Sequence, residues 1–226
     1  MDFKEKSYKD YVYVVASLNY FDDKTKIDHI LKKAETTSKK VNQKYLNGQI
    51  CSPKIKLLNN IGGILAEEVV KEYIKFLIRK NFIDAEILED NFTNYESHRD
   101  IKVRVGKTIK TLEIRSSFNY LAQLEGVLSG KFSLLGKYVT SYKSSEPEKD
   151  FYITVIHRYK NEEIENKIRD NVEVFIIGGA SKEKFIEIGI VDKEKLKQYK
   201  ATYNIISPII KADNVPTVFK EILEIN

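Results

Sequence analysis

Two acidic residues and a cation fall close together in one alternating stretch of this chain, His98-Arg-Asp-Ile-Lys-Val-Arg-Val-Gly-Lys-Thr-Ile-Lys-Thr-Leu-Glu-Ile-Arg-Ser-Ser117. Gly106-Lys107 stands between two runs in which apolar and polar residues alternate. A glycine at the first central position is the signal of a two-residue type II′ hairpin turn. That turn pairs Val105 with Thr108 and, counted back, Ile101 with Leu112 and Asp100 with Glu113. Alternation puts Ile101, Val103, Val105, Leu112 and Ile114 on one face, and Asp100, Lys102, Arg104, Glu113 and Arg115 on the other. Two carboxylates directly across a ladder repel unless a cation lies between or beside them. A hard divalent ion such as Mg²⁺, held by one or two carboxylates plus substrate phosphate and water, is one such cation. Neighbouring Arg or Lys side chains are the other, and a mixed-sign strand face also serves simply as the solvated side of a sheet.

The elements that must position this hairpin follow from periodicity. Residues 61–80, rich in Ile, Leu and Val with Glu67 and Glu68 among them, read as a helix with a wide apolar stripe that packs deep. Residues 24–46 read as an amphipathic helix with Lys24, Lys26, Lys32, Lys33, Lys39, Lys40 and Lys44 on its other faces. Tyr11–Ser17 is ambiguous between strand and helix. Extended segments are expected near 83–89, 98–105 and 108–115, then a helix near 118–128 after Ser116-Ser117. Strands at 151–156 and 172–177, a polar helix near 160–169 and a helix from 182 capped by Ser181 come next. Two short helices flanking Pro208 complete the expectation. This order predicts an α/β fold with a mixed sheet and helices on both faces. Residues 1–58 are expected to form a mostly helical segment packed on a core at 59–226, the whole making one compact domain.

Composition sets the outer bounds. The chain has 226 residues, net charge +5, 42% hydrophobic and 31% charged residues, which allows a sizeable core and excludes general disorder. A single cysteine, Cys51, excludes a disulfide scaffold. No apolar run is long enough to span a membrane. The acidic start Met-Asp-Phe-Lys-Glu-Lys does not read as a signal peptide, so a cytoplasmic location is expected. His29, His98 and His157 share no metal-ligand spacing, and Gly178-Gly179-Ala180 fits neither a P-loop nor a dinucleotide fingerprint, so no nucleotide cofactor is expected.

Residues 60–157 resemble the PD-(D/E)xK nuclease superfamily, the restriction-endonuclease-like fold. That family's core runs helix, three strands, helix, strand, with a Glu in the first helix, an Asp in the second strand and an (Asp/Glu)-x-Lys in the third. The matching positions are Glu67, with Glu68 as the alternative, in Gly63-Ile-Leu-Ala-Glu-Glu; Asp100 in Arg99-Asp-Ile-Lys-Val; and Glu113-Ile114-Arg115. Arg115 departs from the family's Lys. It keeps the positive charge and can fork onto a phosphate, but it cannot serve as a general base. The resemblance implies a Mg²⁺-dependent endodeoxyribonuclease, with Mn²⁺ able to substitute, in which Asp100, Glu113 and the Ile114 backbone carbonyl hold the metal. Glu67 and Arg115 would complete the catalytic group. It implies double-stranded DNA as partner and a homodimer of type II restriction kind. A junction-resolvase-like repair nuclease, or a binding protein of the same fold without activity, are the rivals. Lys32, Lys33, Lys39, Lys40, Lys197 and Lys200 are candidate DNA contacts on a Lys-rich surface, and base readout is expected from residues 129–150 or the C-terminal tail.

Overall fold

The computed structural model describes residues 1–40, 51–88, 100–130, 132–139, 147–192 and 202–225. In chain order these form strands β1 (Asp2–Tyr8) and β2 (Tyr11–Asn19), helices α1 (Tyr20–Ser38) and α2 (Pro53–Asn81), and strands β3 (Ala85–Leu88), β4 (Asp100–Val105) and β5 (Thr108–Phe118). Helix α3 (Leu124–Ser129), strands β6 (Leu134–Val139) and β7 (Phe151–His157), helix α4 (Ile164–Ile168) and strand β8 (Asn171–Ser181) come next. Helix α5 (Lys182–Ile188), strands β9 (Ile190–Asp192) and β10 (Thr202–Ile206), and helix α6 (Val215–Leu223) complete the order. The fold is α/β. A mixed seven-stranded sheet runs β1-β2-β8-β7-β5-β4-β3, and a three-stranded sheet runs β6-β10-β9. β5 and β7 are parallel, and the other neighbours in the large sheet are antiparallel.

Two apolar clusters sandwich the large sheet. On one face, Ile101, Val103, Leu112, Ile114 and Ile153 meet residues of α1, α2, α4 and α6, including Ile30, Leu65, Val69, Tyr73, Ile164 and Phe219. On the other, Tyr13, Tyr152, Ile156 and Ala180 meet Val127, Leu134, Phe185 and Ile206 from α3, β6, α5 and β10. β7 is buried along its whole length because both its faces are covered. α2 starts with Pro53, capped by the Ser52 side chain accepting from the Ile55 N–H, and ends at Asn81, with Phe82 left-handed at φ 51°.

Several expectations need correction. The mostly helical N-terminal segment is instead opened by the β1–β2 hairpin, and β2 is hydrogen-bonded to β8 inside the large sheet. The β-branched run Val12-Tyr-Val-Val suits this buried position, while charged β1 lies at the sheet edge, where apolar alternation is weak. The boundary expected at residue 58 falls inside α2. The helix expected from residue 118 starts at Leu124, because Ser116, Ser117 and Phe118 continue the parallel ladder against Val155, Ile156 and His157. β6 had no counterpart in the periodicity, and the first tail helix is replaced by β10. The parts of the expected elements at 41–46, 89 and 98–99 lie outside the described residues, as does His98.

α2 and the sheet are latched at one polar point. His157 is wholly buried, with Nε2 3.0 Å from the Gly62 carbonyl and Nδ1 3.1 Å from the Tyr159 hydroxyl. The Phe118 ring lies 4.9 Å from the imidazole, centroid to centroid. A Cβ at Gly62 would come within 2.7 Å of that Phe118 ring, so only glycine lets α2 approach this closely. Burial pushes the His157 pKa down to about 4, with the Gly62 bond working against it. Between an ordinary histidine pKa of ~6.5 and this value the unfolded chain therefore binds more protons than the folded one. Folding stability is expected to fall as pH drops through that window. Urea midpoints at pH 7.5 and pH 5 would differ in wild type and differ less in His157→Gln.

Candidate functional site

The site is built by the β4–β5 hairpin. Gly106 has φ +55°, as the first central residue of a II′ turn requires. The ladder pairs Asp100 with Glu113, Ile101 with Leu112, Lys102 with Thr111, Val103 with Lys110 and Val105 with Thr108. The register expected from the turn is the register found. Facing the helices, Ile101, Val103 and Leu112 are buried in the core. Asp100 and Glu113 occupy directly facing positions on the opposite face, and the Asp100 side chain lies outside the described residues.

On that face the parallel neighbour β7 sets Tyr152 beside Glu113 and Thr154 beside Arg115. Glu113 is only 6% exposed. Its Oε1 is 3.2 Å from an Arg115 guanidinium nitrogen. Arg115 also donates to the Gly136 carbonyl of β6 at 3.3 Å. The pair is thus pinned between the large sheet and the small one. The Thr154 hydroxyl is buried and has no hydrogen-bond partner among the described residues. A buried hydroxyl without a partner is costly and asks for a water or a ligand.

A second acid stands next to the hairpin. Asp150, just before β7, accepts from the Thr111 backbone N–H and from the Thr111 hydroxyl, each at 2.8 Å, and lies 3.5 Å from the Lys182 ammonium. Burial pushes its carboxyl up, but the Thr111 bonds and Lys182 more than offset this and hold it below the usual carboxylate range. Asp150 is the last residue of the 129–150 segment from which base readout is expected. The usable signal was an acid immediately preceding an apolar strand that runs parallel to β5. Thr154 and Gly136 carried no signal, because their roles depend on the packing of the two sheets.

Glu67 is elsewhere. α2 packs on the Leu112/Ile114 face, so Glu67 and Glu113 lie on opposite sides of the sheet. Glu67 is 3% exposed and binds Lys71 at 2.6 Å and Lys33 of α1 at 3.4 Å. Glu68 shares both lysines, at 3.6 Å and 4.0 Å. Burial pulls the Lys71 ammonium down, and the two carboxylates more than offset it, so its pKa is raised. This cluster clamps α1 to α2. Lys32, Lys39 and Lys40 are exposed at the end of α1, and Lys33 is in the clamp, all on the helical side rather than beside the hairpin acids. Lys197 and Lys200 lie outside the described residues, as do parts of the 129–150 segment. Among the described residues no three His, Cys, Asp or Glu side chains are grouped as a metal site, and no described helix is long and apolar enough to cross a membrane.

Comparison with known proteins places the chain in a family. It is 34% identical to the uncharacterized protein MJECS01 of Methanocaldococcus jannaschii, over 89% of this chain and 83% of that protein. The chain belongs to that protein's family. No family model matches it, and no solved structure does.

Because buried Glu67 is paired with two half-buried ammonium groups that Glu68 also shares, Glu67→Gln leaves them with less compensating charge, at a cost of roughly 1–3 kcal/mol. Chemical denaturation is expected to show that loss. Any catalysis by the hairpin, measured below the melting transition, should survive the substitution.

Proposed function

We propose that this protein is a divalent-metal-dependent endodeoxyribonuclease of restriction-endonuclease-like fold, acting on duplex DNA in the manner of a type II restriction enzyme. The observation that carries the proposal is the hairpin register. It sets Asp100 opposite Glu113, with Arg115 on the same face, in the order of the family motif. In the large sheet and its flanking helices the succession α2, β3, β4, β5, α3, β7, with β7 parallel to β5, supports the reading; β6, a strand of the small sheet, is inserted between α3 and β7.

Two acidic positions facing across the ladder and a neighbouring backbone carbonyl are oxygen donors of the kind a hard cation takes. Asp100, Glu113 and the Ile114 carbonyl would hold Mg²⁺, or Mn²⁺, which when bound lowers the pKa of a water and offsets charge on the phosphate. The water oxygen forms a bond to phosphorus as the P–O ester bond breaks. The electron pair leaves with the alkoxide oxygen, which takes up a proton, and the water's proton passes to solvent. Arg115 supplies positive charge to the phosphate oxygens and, being always protonated, takes no proton. Its Gly136 bond fixes the direction of the guanidinium.

A second reading is a nucleic-acid-binding protein that does not cut. The Glu113–Arg115 bond favours it, because a guanidinium and a metal compete for one carboxylate. Glu67 favours it too, being engaged on the far side of the sheet. Incubation of purified protein with duplex DNA and Mg²⁺ or Mn²⁺ decides between the two. Cleavage is expected, reduced roughly 100-fold or more by Asp100→Ala and by Glu113→Ala with secondary structure intact. Salt-sensitive binding with no cleavage in either metal would establish the second reading instead.

A further inference from the structure

A carboxylate that turns to a metal gives up its guanidinium, and the geometry points to the Thr154 hydroxyl as the group that then keeps Arg115 in place. This rests on the metal site of the nuclease reading. Glu113 is paired with one terminal nitrogen of Arg115 and is also the acid which that reading assigns to the cation. Once Glu113 is engaged by a metal, the guanidinium beneath the small sheet loses an acceptor and lies beside a like charge, and a buried cation left so is costly. The Gly136 carbonyl accepts from the other terminal nitrogen and stays where it is. A second acceptor is needed to hold the guanidinium aimed at the phosphate.

Thr154 stands at the right place for this. In the parallel ladder it lies directly beside Arg115 on the same face, with neighbouring strands about 4.8 Å apart. It is 3% exposed, and its hydroxyl has no hydrogen-bond partner among the described residues. Across from it on β8 is Gly178, which offers no side chain. A Cβ there would collide with the Tyr11 hydroxyl, which occupies that space and donates to the Asp213 carbonyl at 3.2 Å and the Ile209 carbonyl at 3.4 Å. Two residues back along β7, the Tyr152 hydroxyl accepts from the Lys149 N–H at 3.2 Å. Valine would suit a buried strand in this apolar setting and would bring no polar atom to satisfy. The hydroxyl is therefore what position 154 adds, and a hydroxyl accepts as well as donates. Thr154 is a positioning residue: it touches neither metal nor substrate and acts through the guanidinium.

The test follows Mn²⁺ uptake by the full chain, using titration calorimetry, in Thr154→Val, Thr154→Ser, Arg115→Met and the double variant Thr154→Val with Arg115→Met. Wild type is expected to take up Mn²⁺ at a site that Glu113→Ala lacks. Affinity there should fall on the order of 10-fold in Thr154→Val, stay near wild type in Thr154→Ser, and exceed wild type in Arg115→Met. The double variant should match Arg115→Met, because Thr154 acts only through the guanidinium. The metal-free melting temperature of Thr154→Val should not fall below that of wild type, whereas loss of a structural bridging water would lower it. Undiminished Mn²⁺ affinity in Thr154→Val, or the same loss in the Arg115→Met background, would overturn the assignment. If wild type then cuts duplex DNA and Glu113→Ala does not, the nuclease reading stands without it. Uptake that follows the expected cycle, with no cleavage in Mg²⁺ or Mn²⁺, would overturn the nuclease reading alone. A wild type that takes up no Mn²⁺, with or without duplex DNA, would overturn both.

Discussion

A two-residue turn leaves its flanking strands a single register, and everything said of this site depends on the turn at Gly106-Lys107. With the turn closed, each residue of β4 has one partner on β5, and the side-chain period of two does the sorting. The apolar half, Ile101, Val103, Leu112 and Ile114, is drawn into the helix-facing core. Burial of four such side chains stabilises this register by several kcal/mol, at about 1.5–3 kcal/mol each. A slip by one residue would turn that whole set outward. The acids face one another because the hydrophobic residues between them leave no other arrangement.

The same alternation explains why the polar groups divide into two separate systems. α2 meets the apolar face of β5, so a carboxylate on α2 that avoids the core turns toward α1, where Lys33 waits. Its partner Lys71 follows one turn later on the same helix. Glu113 is forced the other way, under the small sheet, where Arg115 is the cation at the right spacing on its own strand. The central sheet therefore separates a structural ion cluster from the hairpin group, although both were drawn into one motif by sequence order.

The hairpin was legible because its determinants are local: a turn signal, a strict alternation, and pairing fixed by counting. α2 was legible over residues 61–80, though it starts eight residues earlier at Pro53, and so was the Ser181 cap, whose hydroxyl accepts from the Lys184 N–H. What could not be read depends on partners distant in the chain. β2 takes its place by pairing with β8 more than 150 residues on, and β6 by pairing with β10 more than sixty residues on. The shift of α3 away from Ser116 comes from the β7 ladder, which local propensity cannot see. The face to which Glu67 points was set by α1, whose direction of packing no periodicity encodes.

The polar hairpin group is hard to account for as architecture alone. The face under the small sheet is otherwise built from Tyr13, Val15, Tyr152, Ile156 and Leu134. Into this apolar setting the chain puts a nearly buried carboxylate, a guanidinium and a threonine hydroxyl with no hydrogen-bond partner among the described residues. A buried ion pair seldom outperforms well-packed apolar residues of the same volume, since desolvation offsets the attraction. β7 already supplies its backbone bonds, so the sheet gains no pairing from these side chains. Loop closure and core packing would be served as well by Leu or Val at positions 113 and 115. The cost becomes intelligible if the charges are held ready for a group that arrives later, because charges fixed in advance by Gly136 and by the ladder need no reorganisation when negative charge develops beside them.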